Sequence, residues 1–321
     1  MDSTTPQQAE PAPNGGGTAR RPGVGTGWIV AGVIALVVLL ALGGCIATIV
    51  ALTSRTSGGV PLRNNGIALI HIDGAIQDAG ADATGANPER LIRLLEKADK
   101  DDGIKAVLLR INSPGGTVSA SQEIAMQVAR MKKPVISDIG DTGASGAYYV
   151  ASQSDEIVAT PSSAVGSIGV ILEAPNVEEL MKKVGVTVTV IHEGAFKDIG
   201  SPFRSMTPTE AAILKQDIKP AYDQFIADVA KGRKLPEAKV REMATGLVWP
   251  GVVAKQMGLV DKLGNYADAV DEAARLGHIE GTPQVVDYDE TDVLNLLGRI
   301  ANVAERLAPP SAESIKGSVP R

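Results

Sequence analysis

Ser145 lies in the run Asp141-Thr142-Gly143-Ala144-Ser145-Gly146-Ala147-Tyr148-Tyr149-Val150, entered from the apolar segment Pro134-Val135-Ile136-Ser137-Asp138-Ile139. A β-branched run, then Gly-x-Ser-Gly, then small and aromatic residues predicts a strand that turns sharply into a helix with the serine at the turn. Such a hydroxyl suits a nucleophile, because small neighbours let a substrate approach and the Gly146 N–H points at any oxyanion formed beside it. A serine after a glycine serves as readily as a helix N-cap. The chemistry therefore depends on what other loops bring to it.

Two loops at expected strand ends can contribute. Asn112-Ser113-Pro114-Gly115-Gly116 pairs a fixed approach with two glycines whose backbone N–H groups can face a bound group at close range. One of Gly115 or Gly116 would be the second oxyanion donor. The other loop is His192-Glu193-Gly194-Ala195-Phe196-Lys197-Asp198-Ile199. A serine nucleophile needs a base, and His71 and His192 lie in or beside strands, where a structural role suits them better. Lys197 is the better candidate: Ala195, Phe196 and Ile199 are apolar, and burial disfavours an ammonium relative to the neutral amine that accepts a proton. A neutral lysine must also be oriented, which the hydroxyl of Ser167 in Gly166-Ser167-Ile168-Gly169-Val170 could do.

These loops need a scaffold. From Gly66 onward strand-like runs (66–72, 106–112, 135–139, 155–159, 186–191) alternate with helical patterns (87–100, 118–131, 177–184), and an apolar stretch lies at 165–171. That alternation predicts an α/β domain of repeated β-α units, a mainly parallel sheet and helices on both faces. Thr207-Pro208-Thr209-Glu210 is a capping box with proline at the first helical position, opening a long helix to about Arg233. C-terminal helices are expected at 237–244, 251–257 and 267–276, and a last amphipathic one at 293–307.

The flanks differ in composition. Residues 1–27 are rich in Pro, Gly, Gln and Thr and read as a disordered tail. Trp28 to Leu52 runs 25 residues without a charge, enough helix to cross ~30 Å of hydrocarbon, and reads as a membrane anchor. Leu42-Gly43-Gly44-Cys45 resembles a lipoprotein cleavage box, but the apolar run continues through Ile46 to Val50, which suits a span. Arg20 and Arg21 on one side face Arg55 and Arg63 on the other, so the charge rule leaves orientation open. Residues 53–65 are a linker, 66–290 the α/β domain, and 291–321 a helix with a disordered tail.

Composition excludes several functions. The chain has 321 residues and a formal net charge of −6, without the basic footprint of a nucleic-acid partner. Its one cysteine, Cys45, and three histidines rule out an internal disulfide framework and a Cys- or His-rich metal site.

Taken together, Ile111-Asn112-Ser113-Pro114-Gly115-Gly116, Ala144-Ser145-Gly146-Ala147-Tyr148-Tyr149, Gly166-Ser167-Ile168-Gly169-Val170, Gly194-Ala195-Phe196-Lys197-Asp198 and Gly258-Leu259-Val260-Asp261-Lys262-Leu263-Gly264 resemble the motifs of the signal peptide peptidase A family of serine–lysine proteases. That family belongs to the fold group of the Clp protease and the crotonases. The motifs follow the family's order over roughly Gly66 to Gly264, and the chain is similar to its short, anchored, single-domain members. The resemblance implies that Ser145 is the nucleophile, Lys197 the general base and Ser167 the group bonded to the lysine, with Gly115, Gly116 and Gly146 forming the oxyanion hole. Ala147 departs from the family, which more often has glycine there.

The resemblance further implies a ring-like homo-oligomer in which the dyad can be assembled between subunits, and no metal or organic cofactor. It also implies a cytoplasmic N-terminus and a protease domain outside the cytoplasmic membrane. Expected substrates are remnant signal peptides or other short, apolar or misfolded polypeptides. The alternatives are a non-catalytic membrane-tethered peptide-binding scaffold of the same fold, a crotonase-like acyl-CoA enzyme and a Ser-His-Asp hydrolase.

Overall fold

A computed structural model describes residues 65–78 and 85–289. In chain order the elements are β1 (Gly66–Asp73), α1 (Pro88–Lys100), β2 (Ile104–Ser113), α2 (Val118–Val128), β3 (Val135–Ala144), α3 (Gly146–Ala151), β4 (Glu156–Ala159) and β5 (Ala164–Gly166). They continue with α4 (Glu178–Lys183), α5 (Pro208–Arg233), α6 (Glu237–Met243), β6 (Val248–Pro250), α7 (Gly251–Met257), β7 (Lys262–Leu263), α8 (Tyr266–Leu276) and β8 (Gln284–Asp287). The expected N-terminal tail, membrane span, linker up to residue 64 and helix at 293–307 lie outside the described residues. Among the described residues no helix is long and apolar enough to cross a membrane.

Strand periodicity divides the core. Ile67 and Leu69 of β1, with Ala106 and Leu108 of β2, lie in one apolar cluster closed by Ala269 and Ala273 of α8. Their alternating neighbours Ala68, Ile70 and Ile72, with Val107, Leu109 and Ile111, form the other cluster, against Leu91 and Leu95 of α1, Ile124 of α2, Tyr148 of α3 and Phe225 of α5. The central strands are thus buried on both faces, which is why they read as continuous apolar runs.

The sheet runs β6-β5-β3-β2-β1-β8, with β4 pairing β3 and β7. Among the described residues every pairing is parallel except β5 with β6. The expected α/β class with a mainly parallel sheet is therefore the observed one. The long strand β3 serves two neighbours in succession, Ile136–Ile139 pairing with β4 and Thr142–Ala144 with β5. This second half carries the chain past Ile139 directly to Ser145.

Val186 to Ile191 was expected to be a strand from its alternating valines, and forms none. Val186, Val188, Val190 and Ile191 are exposed instead, and the Val186 N–H closes a turn on the Met181 carbonyl at 3.0 Å in place of a ladder bond. Of the apolar stretch 165–171 only Val165 and Gly166 are in a strand, as the last two residues of β5.

Candidate active site

Ser145 stands between the end of β3 and the first residue of α3, at φ 52° and ψ −123°. A non-glycine residue there is strained, and such strain persists only where the surroundings enforce it. They do. The Ser145 N–H donates to the Gly166 carbonyl at 2.7 Å, and its own carbonyl accepts from Tyr149 N–H at 2.9 Å.

All six residues of α3 are buried, and its aromatic pair anchors it. The Tyr148 hydroxyl donates to the Leu259 carbonyl at 3.0 Å. Tyr149 donates to Asp228 of α5 and stacks on Phe225 with centroids 4.5 Å apart. Burial raises both phenols well above their ordinary range, so both stay protonated donors. Ala147, the departure from the family motif, is fully buried within this packing.

The glycine loop lies against this turn. A Cβ placed on Gly115 would come within 2.5 Å of the Gly146 nitrogen and 2.8 Å of Ser145 Cβ, and one placed on Gly146 within 3.2 Å of the Gly116 nitrogen. Hydrogen bonding separates the two candidate donors. Gly115 N–H is taken by the Oγ of buried Ser113 at 3.1 Å, and its carbonyl accepts from Ile76 N–H at 2.9 Å. Thr117 N–H in turn donates to the Ile76 carbonyl at 2.8 Å. Ile76 thus grips the loop on both sides of Gly116 and engages neither Gly116 N–H nor Gly146 N–H.

Ser145, Gly115, Gly116 and Gly146 are therefore brought together. Ser167 follows Gly166, the residue that anchors Ser145, and takes a φ of 51°. Its hydroxyl donates to the Gly246 carbonyl at 3.2 Å and its N–H to the Leu247 carbonyl at 2.8 Å. Lys197 is exposed within the single chain, where its apolar neighbours do not enclose it as expected. Among the described residues no hydrogen bond joins its amine to Ser145 or Ser167.

Nor does either nearby histidine bond Ser145. His71 faces Asp287 at 3.5 Å, and His192 Nε2 lies 3.6 Å from Asp198. His71, Asp287 and Asp289 are close enough to share a cation, but Asp289 already pairs with Arg90 and accepts the His71 N–H.

Sequence reading missed three supports: Ser113, Ser121 and a charge cluster beside Lys197. Ser121 Oγ donates to the Thr117 carbonyl at 2.8 Å and would lie 2.1 Å from a Cβ on Gly146. Its i, i+4 spacing from Thr117 was the available signal.

In the charge cluster Arg204 contacts both Asp198 and Glu210, and Glu210 closes the capping box with Thr207. Arg204, then the Thr207 backbone, hold the Glu210 carboxyl down to about 2, and Arg204 likewise holds Asp198 below the usual carboxylate range. A depressed carboxylate stabilises the folded segment above its ordinary value of 4.5, and that contribution is lost as the pH falls toward about 2. Residues 192–210 should accordingly lose hydrogen-exchange protection across that window before β2 does. Simultaneous loss in both segments would show that the cluster does not hold residues 192–210.

Comparison with known proteins places these motifs in context. The model of peptidase family S49 matches residues 127–280. A Methanocaldococcus jannaschii protein provisionally named a protease is 42% identical over 209 residues, covering 64% of this chain and 67% of that one. A Synechocystis protein, likewise provisionally a protease, is 41% identical over 216 residues, 67% of this chain and 76% of that one. An Enterococcus faecium protein provisionally named a signal peptide peptidase is 37% identical over 215 residues, 65% of this chain. The match spans 62% of its length.

Proposed function

Since this chain belongs to peptidase family S49, we propose that it hydrolyses peptide bonds by a Ser145–Lys197 dyad. Neutral Lys197 takes the Ser145 proton as Oγ attacks the substrate carbonyl, and Gly116 and Gly146 N–H groups hold the oxyanion. The lysinium then protonates the leaving amine. Water, activated by the same lysine, releases the acyl group from Ser145 and regenerates the enzyme. The observation that carries this reading is the enforced backbone strain at Ser145 beside two N–H groups that Ile76 leaves unengaged.

Gly116 replaces Gly115 as the second donor because Gly115 N–H is spent on Ser113. Ser167 acts on the lysine once its hydroxyl leaves the Gly246 carbonyl. The lysine itself comes from a neighbouring copy in a ring-like homo-oligomer, a reading supported by α5. That helix rises about 22 Å between Glu210, beside the lysine loop, and Phe225, beside α3, at 1.5 Å per residue. Ile171, Leu180, Ile191 and Phe196 are exposed on the single chain's arm and would be covered in such an assembly. Residues 28–52 anchor the enzyme with its protease domain outside the cytoplasm, where remnant signal peptides or other apolar polypeptides are the substrates.

The test uses the full chain in detergent with a fluorophosphonate and a fluorogenic peptide. Wild type should gain one adduct at Ser145 by peptide mass mapping, while Lys197→Ala should lose labelling and turnover by at least ~100-fold. Co-expressing Ser145→Ala with Lys197→Ala chains should restore activity that neither has alone. Labelling that survives in Lys197→Ala removes lysine as the base. Mixed assemblies of the two variants that neither label at Ser145 nor turn over peptide remove the shared dyad.

A further inference from the structure

Lys197 sits in a short exposed loop, which raises the question of what fixes it. The next residue, Asp198, is largely enclosed, its side chain 12% exposed. Arg204 grips its carboxylate through both oxygens, Nε to Oδ2 at 2.7 Å and Nη2 to Oδ1 at 2.9 Å. The same guanidinium reaches Glu210 through Nη1 at 2.9 Å and Nη2 at 2.5 Å. Glu210 is buried and accepts from the Thr207 backbone N–H at 2.8 Å and the Thr207 hydroxyl at 3.0 Å, closing the N-terminus of α5. Farther along, α5 holds the nucleophile's helix through Phe225 and Asp228. One helix, α5, is thus tied at its N-terminus to the lysine loop and, past Pro220, to the helix that follows Ser145.

We propose that Arg204 is a positioning residue for Lys197: by clamping Asp198 to Glu210 it sets where the lysine is presented, and it spends the Asp198 charge. This rests on the reading of Lys197 as the base. The planar guanidinium fork suits the task because it engages two carboxylates in fixed geometry, which an ammonium cannot. The charged groups that meet at the site are His192 and Asp198 on the loop itself, Arg204 from the following turn and Glu210 from α5. Without Arg204, Glu210 keeps its Thr207 bonds but Asp198 is left with His192 as its neighbouring cation. A freed Asp198 anion beside Lys197 then favours its ammonium form.

Arg204→Gln in the full chain should therefore do two things. Its kcat should fall about 10- to 100-fold with KM little changed, the signature of a misplaced group. The acidic limb of its pH–rate profile should also move to higher pH by roughly 0.5 unit, the size of one unscreened charge about 7 Å away in a water-like medium. Arg204→Lys keeps the charge but loses the fork, so it should lower kcat while leaving the limb in place. Asp198→Asn in the Arg204→Gln background should return the limb to its wild-type position without restoring kcat.

An Arg204→Gln enzyme with wild-type kcat and limb, alongside an inactive Lys197→Ala, overturns the clamp and leaves the dyad standing. Full turnover in Lys197→Ala overturns the dyad whatever Arg204 does. If Arg204→Gln fails to fold or assemble by thermal unfolding and sizing, Arg204→Lys decides. A lowered kcat with an unmoved limb supports the clamp, and wild-type kcat sinks it.

Discussion

Replacing Ser145 by alanine should lower peptide turnover by roughly 10⁴- to 10⁶-fold and leave the fold intact, the range seen when the nucleophile of a comparable unit is removed. Alanine has the same backbone preferences as serine at φ 52° and ψ −123°, so it neither adds nor relieves strain. The Gly166 and Tyr149 backbone bonds that enforce the turn do not involve the hydroxyl. Glycine at the same position separates chemistry from stability more sharply. It adopts this conformation freely, so Ser145→Gly should unfold at higher temperature than wild type, by up to the ~1–3 kcal/mol stored in such a conformation, and be equally inactive. Retained turnover in purified Ser145→Ala, freed of contaminating host proteases by a second column, would end the serine-nucleophile reading.

Much of this arrangement was legible in the chain, and the legible parts share a physical cause. The turn at Ser145 and the Gly115–Gly116 loop were visible because each is local: a β-branched run ending in small residues, and paired glycines after a proline. The capping box at Thr207 was legible for the same reason, and α5 begins where it predicts. What depends on distant pairing was not. Strand β8 exists because Gly66 pairs with Gln284, and β7 is two residues that pair β4. Nothing in four or two residues of sequence signals a partner so far away. Val186 to Ile191 shows the reverse error, a strand pattern without an available edge.

Lys197 illustrates the same limit at the site. Its apolar neighbours suggested burial, but apolar residues are buried only where something covers them, and on one chain Phe196 remains 48% exposed. The choice between Gly115 and Gly116 also lay beyond the sequence, since it turns on Ser113 occupying one N–H. Arg204 escaped notice because Asp198, Arg204 and Glu210 are spaced six apart, which matches no local motif; the loop's path brings them together.

Gly116→Ala should lower activity about 10²- to 10³-fold through the backbone alone. The new methyl would sit 1.7 Å from the Ile76 carbonyl oxygen and 2.5 Å from its carbon, and neither atom belongs to a flexible side chain. Ile76 is itself fully buried and bonded on both sides, by its N–H to Gly115 and its carbonyl to Thr117. The loop must therefore retreat, taking the Gly116 N–H away from the position beside Gly146. Loss of one oxyanion donor costs about 10²- to 10³-fold in kcat, and forcing a methyl into a packed site costs about 1–3 kcal/mol of stability. Gly281→Ala is the control: its φ of 80° is itself unfavourable for alanine, which that of Gly116 is not, yet nothing lies within 4 Å of the added carbon. It should lose about 1 kcal/mol in denaturant unfolding and keep its kcat. If Gly116→Ala were as active as Gly281→Ala, the second donor would have to be sought elsewhere. An inactive Gly116→Ala that still labels at Ser145 with fluorophosphonate at the wild-type rate would place its defect in substrate binding instead.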